Sequence, residues 1–300
     1  MLEIIKNSNI DFVGKRKIAL IISAILILFG IFSLIFRGGI HYSIDFEGGS
    51  LIQVRFNSDV QVAQLRDAMT TINKGDAIIQ RFGDDNEFLI RIKSVENAEE
   101  TTVAIRSALS GINGEDGYEI RRLETVGPKI GKELRGDALS AILIAMLGIV
   151  IYISIRFQFM YAIGALVALV HDVLIVLGTF SELNMEISLT VIAAFLTIVG
   201  YSLNDTIVVF DRIRENVNTM RRETYKNVVN ISINETLNRT LITSGTTMLA
   251  VITLYAIGGE VIRPFAFALI IGVLIGTYSS IFIASPILIA WQGRQAKKAK

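Results

Sequence analysis

Long apolar runs separated by shorter polar segments dominate the pattern of the chain. A helix rises ~1.5 Å per residue, so about 20 apolar residues cross the ~30 Å hydrocarbon core of a bilayer. Runs of this kind lie at 18–36, 138–155, 160–180, 187–210, 240–257 and 265–291. The pattern therefore predicts an α-helical membrane protein with six transmembrane helices, in contact with a lipid bilayer.

The segment between the first two runs, 37–137, has the pattern of a soluble domain. Alternating apolar residues predict strands, and apolar residues at helical spacing predict helices. The predicted strands are 50–56, 77–82, 87–93 and 118–126, and the predicted helices are 60–73 and 96–109. The order β-α-β-β-α-β is that of a ferredoxin-like α+β fold, which hosts many functions.

Two glycine-containing motifs flank this domain. Gly48 and Gly49 precede the first strand, and paired glycines allow positive φ and close backbone approach. We interpret this motif as a turn, with a metal pair formed by Asp45 and Glu47 as the less favoured alternative. Gly127-Pro128 follows the last strand, stops it and forms a joint to the second apolar run.

The distribution of basic residues predicts the orientation in the membrane. Lys and Arg concentrate in the lead 1–17, in the segment 211–238 and in the tail 292–300, whereas Arg263 stands alone on the other side. The positive-inside rule then makes both termini cytosolic and 37–137 extracytoplasmic. We expect 211–238 to form two short helices around 220–224. Its basic face is interpreted as a surface for anionic headgroups, with a nucleic-acid or protein site as the alternative.

Composition narrows the function classes. The 300 residues carry a net charge of +1, no cysteine and two histidines. We therefore expect no nucleic-acid partner, no disulfide and no metal site built on Cys or clustered His. The chain shows no nucleophile–base pair and no Walker motif, so the sequence predicts neither an enzyme nor a cofactor.

One carboxylate lies within the fourth run. Asp205 is the only charged residue of 187–210, and insertion scales put the cost of such a group at ~2.5–3.5 kcal/mol or more. Four polar residues recur at a seven-residue spacing and therefore form a polar stripe along one face of the helix, bordered by Asp205 and Tyr201. The stripe consists of Thr190, Thr197, Asn204 and Asp211. We expect it to face other helices or a wet cavity, and Asp205 to serve a proton or ion path rather than to be merely hydrated.

Three further residues have candidate roles in such a path. Arg239 opens a run of small polar residues that includes Thr243, and it stands at a depth similar to that of Asp205. We expect the two charges to pair, with an Arg239 that reaches the headgroups as the alternative. For His171 and Asp172 in the third run, a proton relay and a polar pair bonded to Ser or Thr of a neighbouring helix both remain open.

Small residues in the sixth run predict close helix packing. Gly272 and Gly276 lie one turn apart and continue into Ser280 and Ala284. Pro286 predicts a kink near the end of this run.

These motifs together resemble the SecF family of protein-export membrane subunits. The resemblance covers nearly the whole chain. Its motifs are IDFEGG at 44–49, VGPKIGKEL at 126–134, HD at 171–172, VGYSLNDTIVVFDRIREN at 199–216 and TLNRTLITSGTT at 236–247.

The resemblance implies a fold of the resistance–nodulation–division superfamily. It implies pairing with SecD beside the SecYEG channel, and ion flow that moves the outside domain to help pull preproteins across. The family's proton-path residues fall on Asp205 and Arg239. Two rivals stay open, namely a small-molecule or lipid exporter of the same superfamily and a purely structural scaffold. Protons and sodium ions both remain candidate coupling ions.

Overall fold

A computed structural model describes residues 8–83, 86–93 and 98–298, which form two compact units. The described residues of Met1–His41, with Ala141–Glu186 and Thr190–Lys300, form the helical unit. The second unit, Tyr42–Ser140 with Ile187–Leu189, contains the sheet.

The elements follow the predicted order with one addition, because the motif interpreted as a turn contains a four-residue helix, Ile44–Glu47. The helices are α1 Phe12–Phe36, α2 Ile44–Glu47, α3 Val62–Thr71, α4 Ala98–Asn113, α5 Pro128–Arg156, α6 Phe159–Glu182, α7 Leu189–Thr219, α8 Tyr225–Ile257, α9 Gly259–Ser279 and α10 Ser285–Lys298. A π-helical segment, Ser280–Ala284, joins α9 to α10. The strands are β1 Gly49–Phe56, β2 Ile78–Arg81, β3 Glu87–Ile92 and β4 Tyr118–Val126.

The four strands form one antiparallel sheet in the order β2-β3-β1-β4. In its register, Ser50 of β1 lies opposite Ile92 of β3, and Gly49 lies opposite Val126 of β4. This is the split β-α-β arrangement that the sequence predicts. The start of the helix predicted at 96–109 falls partly outside the described residues, and β4 has the predicted bounds.

Alternating residues of the central strand build the core of the sheet unit. Ile52, Val54 and Phe56 of β1 are buried on one face, as period-two alternation requires. They pack with apolar residues of both long helices of the unit, namely Leu65, Met69 and Leu109. The pattern explains why the sheet needs α3 and α4 on one face.

In the part of the chain that the structure describes, six helices are long and apolar enough to cross a membrane. They are α1, α5, α6, α7, α8 and the continuous stretch Val261–Gly293 that includes the π-helical segment. Most extend beyond the apolar runs into polar segments. The segment 211–238 therefore differs from the prediction of two short helices. It contains the ends of α7 and α8, joined at 220–224.

Pro286 is accommodated by a change of helix type. A proline has no N–H to donate to the carbonyl four residues back. The π-helical segment ends two residues before Pro286, and Ser285 Oγ donates to the Ser280 carbonyl at 2.9 Å. The predicted irregularity thus takes the form of a π-helical turn, a feature often found at functional sites.

Two glycines allow α1 and α6 to cross closely. A Cβ on Gly178 would lie 2.7 Å from the Cα of Gly30. One turn further, the hydroxyls of Ser33 and Ser181 share a hydrogen bond of 3.1 Å. The backbones therefore meet with no side chain between them, which is the packing that small residues permit in membranes.

Two asparagines of α8 hold the segment before α1. Asn230 Oδ1 accepts from the N–H groups of Phe12 at 2.9 Å and Val13 at 3.2 Å, and its Nδ2 donates to the Ile10 carbonyl at 3.0 Å. Asn234 bonds both the N–H and the carbonyl of Ile10, each at 2.9 Å. We call this set of contacts the asparagine clamp. It satisfies backbone groups that the first turn of α1 leaves open.

The α1–α6 crossing predicts opposite effects for two glycine substitutions. Gly178→Ala forces the helices apart, so we expect the free energy of unfolding to fall by ~1–3 kcal/mol. Gly148→Ala on α5, where a Cβ meets open space, is the matched control and should gain up to ~1 kcal/mol from helix propensity. Thermal unfolding of the two purified variants checks this, and equal midpoints would contradict the crossing.

Candidate functional site

Asp172 is a carboxylate of the helical unit with three side-chain hydrogen-bond partners. Its Oδ2 accepts hydrogen bonds from Ser202 of α7 at 2.6 Å and from Ser279 of α9 at 2.8 Å. Its Oδ1 lies 2.8 Å from Nδ1 of His171. The side chain is fully buried. A group that costs several kcal/mol to desolvate is thus matched by hydrogen-bond partners from three helices.

The same network continues to α1 and fixes where one proton is. The hydroxyl of Tyr278 donates to the Ala19 carbonyl at 2.7 Å, so Ser23 must donate to Tyr278 across their 3.0 Å contact. Ser23 then accepts from Nε2 of His171 at 3.0 Å.

The contact between Nδ1 and Oδ1 therefore contains a single proton. It belongs either to an imidazolium beside a carboxylate or to a neutral acid beside a neutral imidazole. Both assignments leave the buried pair of His171 and Asp172 with no net charge.

Asp205 is a second buried carboxylate, located one helical turn beyond Ser202 on α7. Its exposed fraction is 2%. Ser244 Oγ contacts its Oδ2 at 3.4 Å and shares a 2.6 Å hydrogen bond with Thr277 of α9. Asp205 is thus more weakly bonded than Asp172, and its environment consists of hydroxyl groups.

The glycines predicted for packing lie where α9 meets α7. A Cβ on Gly276 would lie 2.9 Å from the Cβ of Ser202, and one on Gly272 would collide with the Ile198 side chain. The absence of side chains at these two positions lets Ser202 and Ser279 reach the same oxygen of Asp172. Bulkier residues would separate these helices.

Three predicted path residues are not part of either network. Asn204 and Arg239 are exposed in this chain, and Thr243 donates to the Arg239 carbonyl of its own helix at 2.9 Å. Arg239 is near enough to interact electrostatically with Asp205. Within the described ranges, however, no ion pair of 4.0 Å or less joins the two side chains.

The alternative of a His171–Asp172 pair bonded to serines of neighbouring helices is the one that the structure shows. The sequence did not identify which hydroxyls complete the site, and these are Ser23, Ser202, Ser244, Thr277, Tyr278 and Ser279. Single hydroxyl residues are common in apolar helices, so no individual residue stood out. The signal available was position. Ser202 precedes Asp205 by three residues, and therefore lies on the same helix face.

The sheet unit contains a second candidate site, a joint built around Asp45. Its Oδ2 accepts from the N–H of Leu189, the first residue of α7, at 2.9 Å. Ser43 N donates to the Ile187 carbonyl at 3.0 Å, and Tyr42 forms a parallel bridge with Ile187. Asp45 thereby caps a helix that is remote in sequence, a contact that the turn predicted for this motif does not include.

Glu47 has a different environment. It lies near Arg91, where burial lowers the pKa of the guanidinium and the charge of Glu47 opposes that shift. The two acidic residues of the motif thus have separate structural partners, and the turn is the better description of their surroundings than the metal pair.

The paired glycines allow close contacts within this joint. Gly48 and Gly49 have φ values of 78° and 134°, and a Cβ on Gly48 would lie 2.9 Å from the Cα of Pro128. Pro128 is the first residue of α5, where its missing N–H costs nothing. Gly127 connects it to the last residue of β4. The two motifs that flank the domain in sequence are therefore in contact.

Comparison with known proteins identifies the family. The model of the C-terminal region of the protein export membrane proteins SecD/SecF matches residues 106–294, and the SecD/SecF GG motif matches 32–60. The protein translocase subunit SecF of Calditerrivibrio nitroreducens is 49% identical over 95% of both chains. The chain belongs to the SecF family of protein translocase subunits. The SecF of Magnetococcus marinus is 48% identical over 95% of this chain and 93% of its own.

Solved structures agree with this family and fold. A crystal structure of SecDF from Thermus thermophilus, described as a translocon-associated membrane protein, matches with a TM-score of 0.83 and 36% identity. The match covers 98% of this chain and 40% of the SecDF chain. SecDF in a super-membrane-facing form matches with a TM-score of 0.71. This SecF-family chain is thus a multi-pass protein of the inner membrane.

The Asp45 cap predicts a local effect on α7. We expect Asp45→Ala to remove the cap and to cost ~0.5–2 kcal/mol, so that amides in the first turn of α7 exchange about 2- to 30-fold faster. Asp67→Ala, an exposed carboxylate of α3, is the control and should leave this exchange unchanged. Hydrogen exchange measured by mass spectrometry checks the result. Unaltered exchange in Asp45→Ala would remove the capping role.

Proposed function

We propose that this chain uses an ion gradient to promote preprotein translocation, together with SecD and the SecYEG channel. The observation that carries the proposal is Asp205, a buried carboxylate and the only charged residue of the run 187–210. It has only weak hydroxyl contacts, so gain or loss of a cation there changes the local charge without disrupting a saturated network.

Asp205 is the site of ion exchange in this scheme, with Arg239 as its electrostatic partner. Binding a proton or sodium ion neutralises Asp205 and reduces its attraction to Arg239, and the helices then repack. Each elementary charge that crosses 100 mV releases ~2.3 kcal/mol. Asp172 and His171 form the better satisfied neighbouring pair, and Asn204 and Thr243 line the approach to Asp205.

A partner chain that covers the polar stripe of α7 would complete the site. Thr197, Gly200 and Asn204 are exposed, and a Cβ on Gly200 or on Gly245 of α8 meets open space. Polar groups in a membrane span seldom face lipid, and small residues favour a helix–helix contact. SecD is the partner we propose, because the solved structure that matches this chain is that of SecDF.

In this proposal, the joint built around Asp45 couples movement of α7 to the segment 42–49. Leu189 begins α7, and Asp205 lies further along the same helix. A shift of α7 therefore acts on the segment 42–49 through the bond from Leu189 to Asp45. Gly127 and Pro128 provide a second connection, from β4 into α5. We propose that 37–137 is extracytoplasmic, that both termini are cytosolic, and that this domain moves with the ion cycle.

The rival functions predict other outcomes. A small-molecule or lipid exporter would use Asp205 but would not require SecYEG. A structural scaffold would keep the helix contacts and would not need Asp205. The export experiment below distinguishes these alternatives.

Substitution of the two charges tests the ion path. In vesicles that contain SecD and SecYEG, we expect Asp205→Asn and Arg239→Met to abolish the gradient-dependent increase in preprotein translocation, because neither retains a switchable pair. Glu215→Gln, an exposed carboxylate of the same helix, should keep it. Repeating the assay with and without sodium identifies the ion. Full stimulation in Asp205→Asn would reject the proposal in favour of a scaffold.

If SecD covers this face of α7, a bulky residue on the face should weaken the association of this chain with SecD. Gly200→Leu fills the open space on α7, and an overpacked contact costing ~1–3 kcal/mol weakens association about 5- to 150-fold. Gly148→Leu, on the open face of α5, is the control. Co-purification with SecD measures the effect, and thermal unfolding of each isolated variant should be unaffected. If both variants retain SecD equally, this face is not the interface.

A further inference from the structure

A half-open cavity of about 590 Å³ lies in the helical unit where α5 ends and α6 and α8 begin. Its walls include Arg156 at the end of α5, Tyr161 of α6, Arg214 near the end of α7 and Tyr225 at the start of α8. None of these residues belongs to the ion path. The cavity thus needs an explanation of its own.

Two guanidinium groups make the cavity cationic. Arg156 and Arg214 lie 5.0 Å and 5.9 Å from the centre of the Phe157 ring, and Arg214 donates to the Arg156 carbonyl at 3.4 Å. Arg156 also pairs with Asp211 at 3.5 Å. Arg214 has no carboxylate within 4.0 Å in the described part of the chain. Among the described residues, the Arg214 guanidinium therefore has no acidic partner and can bind an anion.

Other donors converge on the same space. The Tyr225 hydroxyl is buried close to that of Tyr161, and within the described ranges no hydrogen bond of good geometry joins it to another residue. The N-terminus of α6 opens here, and its N-cap residue Gln158 makes no side-chain capping bond. Free N–H groups at a helix N-terminus favour anions. Two arginines, a phenol and a helix N-terminus together match the oxygens of a phosphate group.

The edge of the cavity is apolar. Ile155 is 81% exposed and Val217 is 38% exposed, and both line it. We propose that this cavity binds the phosphate of an anionic phospholipid, with the acyl chains lying along Ile155 and the adjacent outer surface of α5. A basic pocket between membrane helices is a known way of recognising such headgroups. Free phosphate shares the same chemistry, but it would leave the apolar edge without a ligand.

A lipid titration of the full-length purified chain in detergent tests the proposal. Native mass spectrometry counts the adducts formed with phosphatidylglycerol, phosphatidylcholine or inorganic phosphate. We expect one saturable phosphatidylglycerol adduct, with phosphatidylcholine bound at least about 5-fold more weakly, the factor for one basic contact. Equal binding of the two lipids would overturn the proposal. Displacement of phosphatidylglycerol by inorganic phosphate would assign the site to the free ion and would also overturn it.

Matched variants locate the site. Arg214→Gln should weaken phosphatidylglycerol about 5-fold, whereas Arg222→Gln, an exposed arginine of 220–224, removes the same charge away from the cavity and should have no effect. Tyr225→Phe removes only the hydroxyl and should weaken binding about 2- to 12-fold. Asp211→Asn removes the ion-pair partner of Arg156 and should strengthen the binding of phosphatidylglycerol. Equal losses in Arg214→Gln and Arg222→Gln would show a diffuse charge effect and contradict the site.

Discussion

The cost of placing carboxylates among apolar helices is the constraint on which the helical unit depends. An ionised carboxylate away from water is stable only if donors replace its hydration. Asp172 meets this condition with two serines and a histidine, drawn from α6, α7 and α9. Asp205 meets it less fully. The difference between the two sites explains why we assign a structural role mainly to the first and ion exchange to the second.

Small residues make this arrangement possible. Serine hydroxyls are short, so Ser202 and Ser279 reach one oxygen of Asp172 only when their helices approach closely. Gly276 permits this approach, because a Cβ there would lie 2.9 Å from the Cβ of Ser202. The π-helical segment begins one residue after Ser279. The close packing of the helices and the hydrogen bonds to Asp172 therefore depend on the same contacts. A substitution that separates the helices would also break these hydrogen bonds.

Much of the fold could be predicted from the sequence because its periodicities are strong. Apolar runs of about the length of a membrane span predicted six helices, and alternation predicted four strands in the observed order. The bounds of α5 and α8 could not be read from apolarity, because Pro128 and Tyr225 begin helices within polar segments. The carboxylates of the site were found because a charge in an apolar run is rare. Their hydroxyl partners, and the cap that Asp45 provides for α7, depend on contacts between distant segments, which periodicity does not encode.

The asparagine clamp has a mechanical consequence. Asn230 and Asn234 lie one turn apart on α8, and they bond backbone groups on both sides of the residue where α1 starts. All of these contacts join two side chains of α8 to the backbone before and at the start of α1. A displacement of α8 at this end therefore either breaks these hydrogen bonds or is accompanied by movement of the first turn of α1. The movements of α1 and α8 are thus coupled at this end of the unit, although most of the chain separates the two helices in sequence.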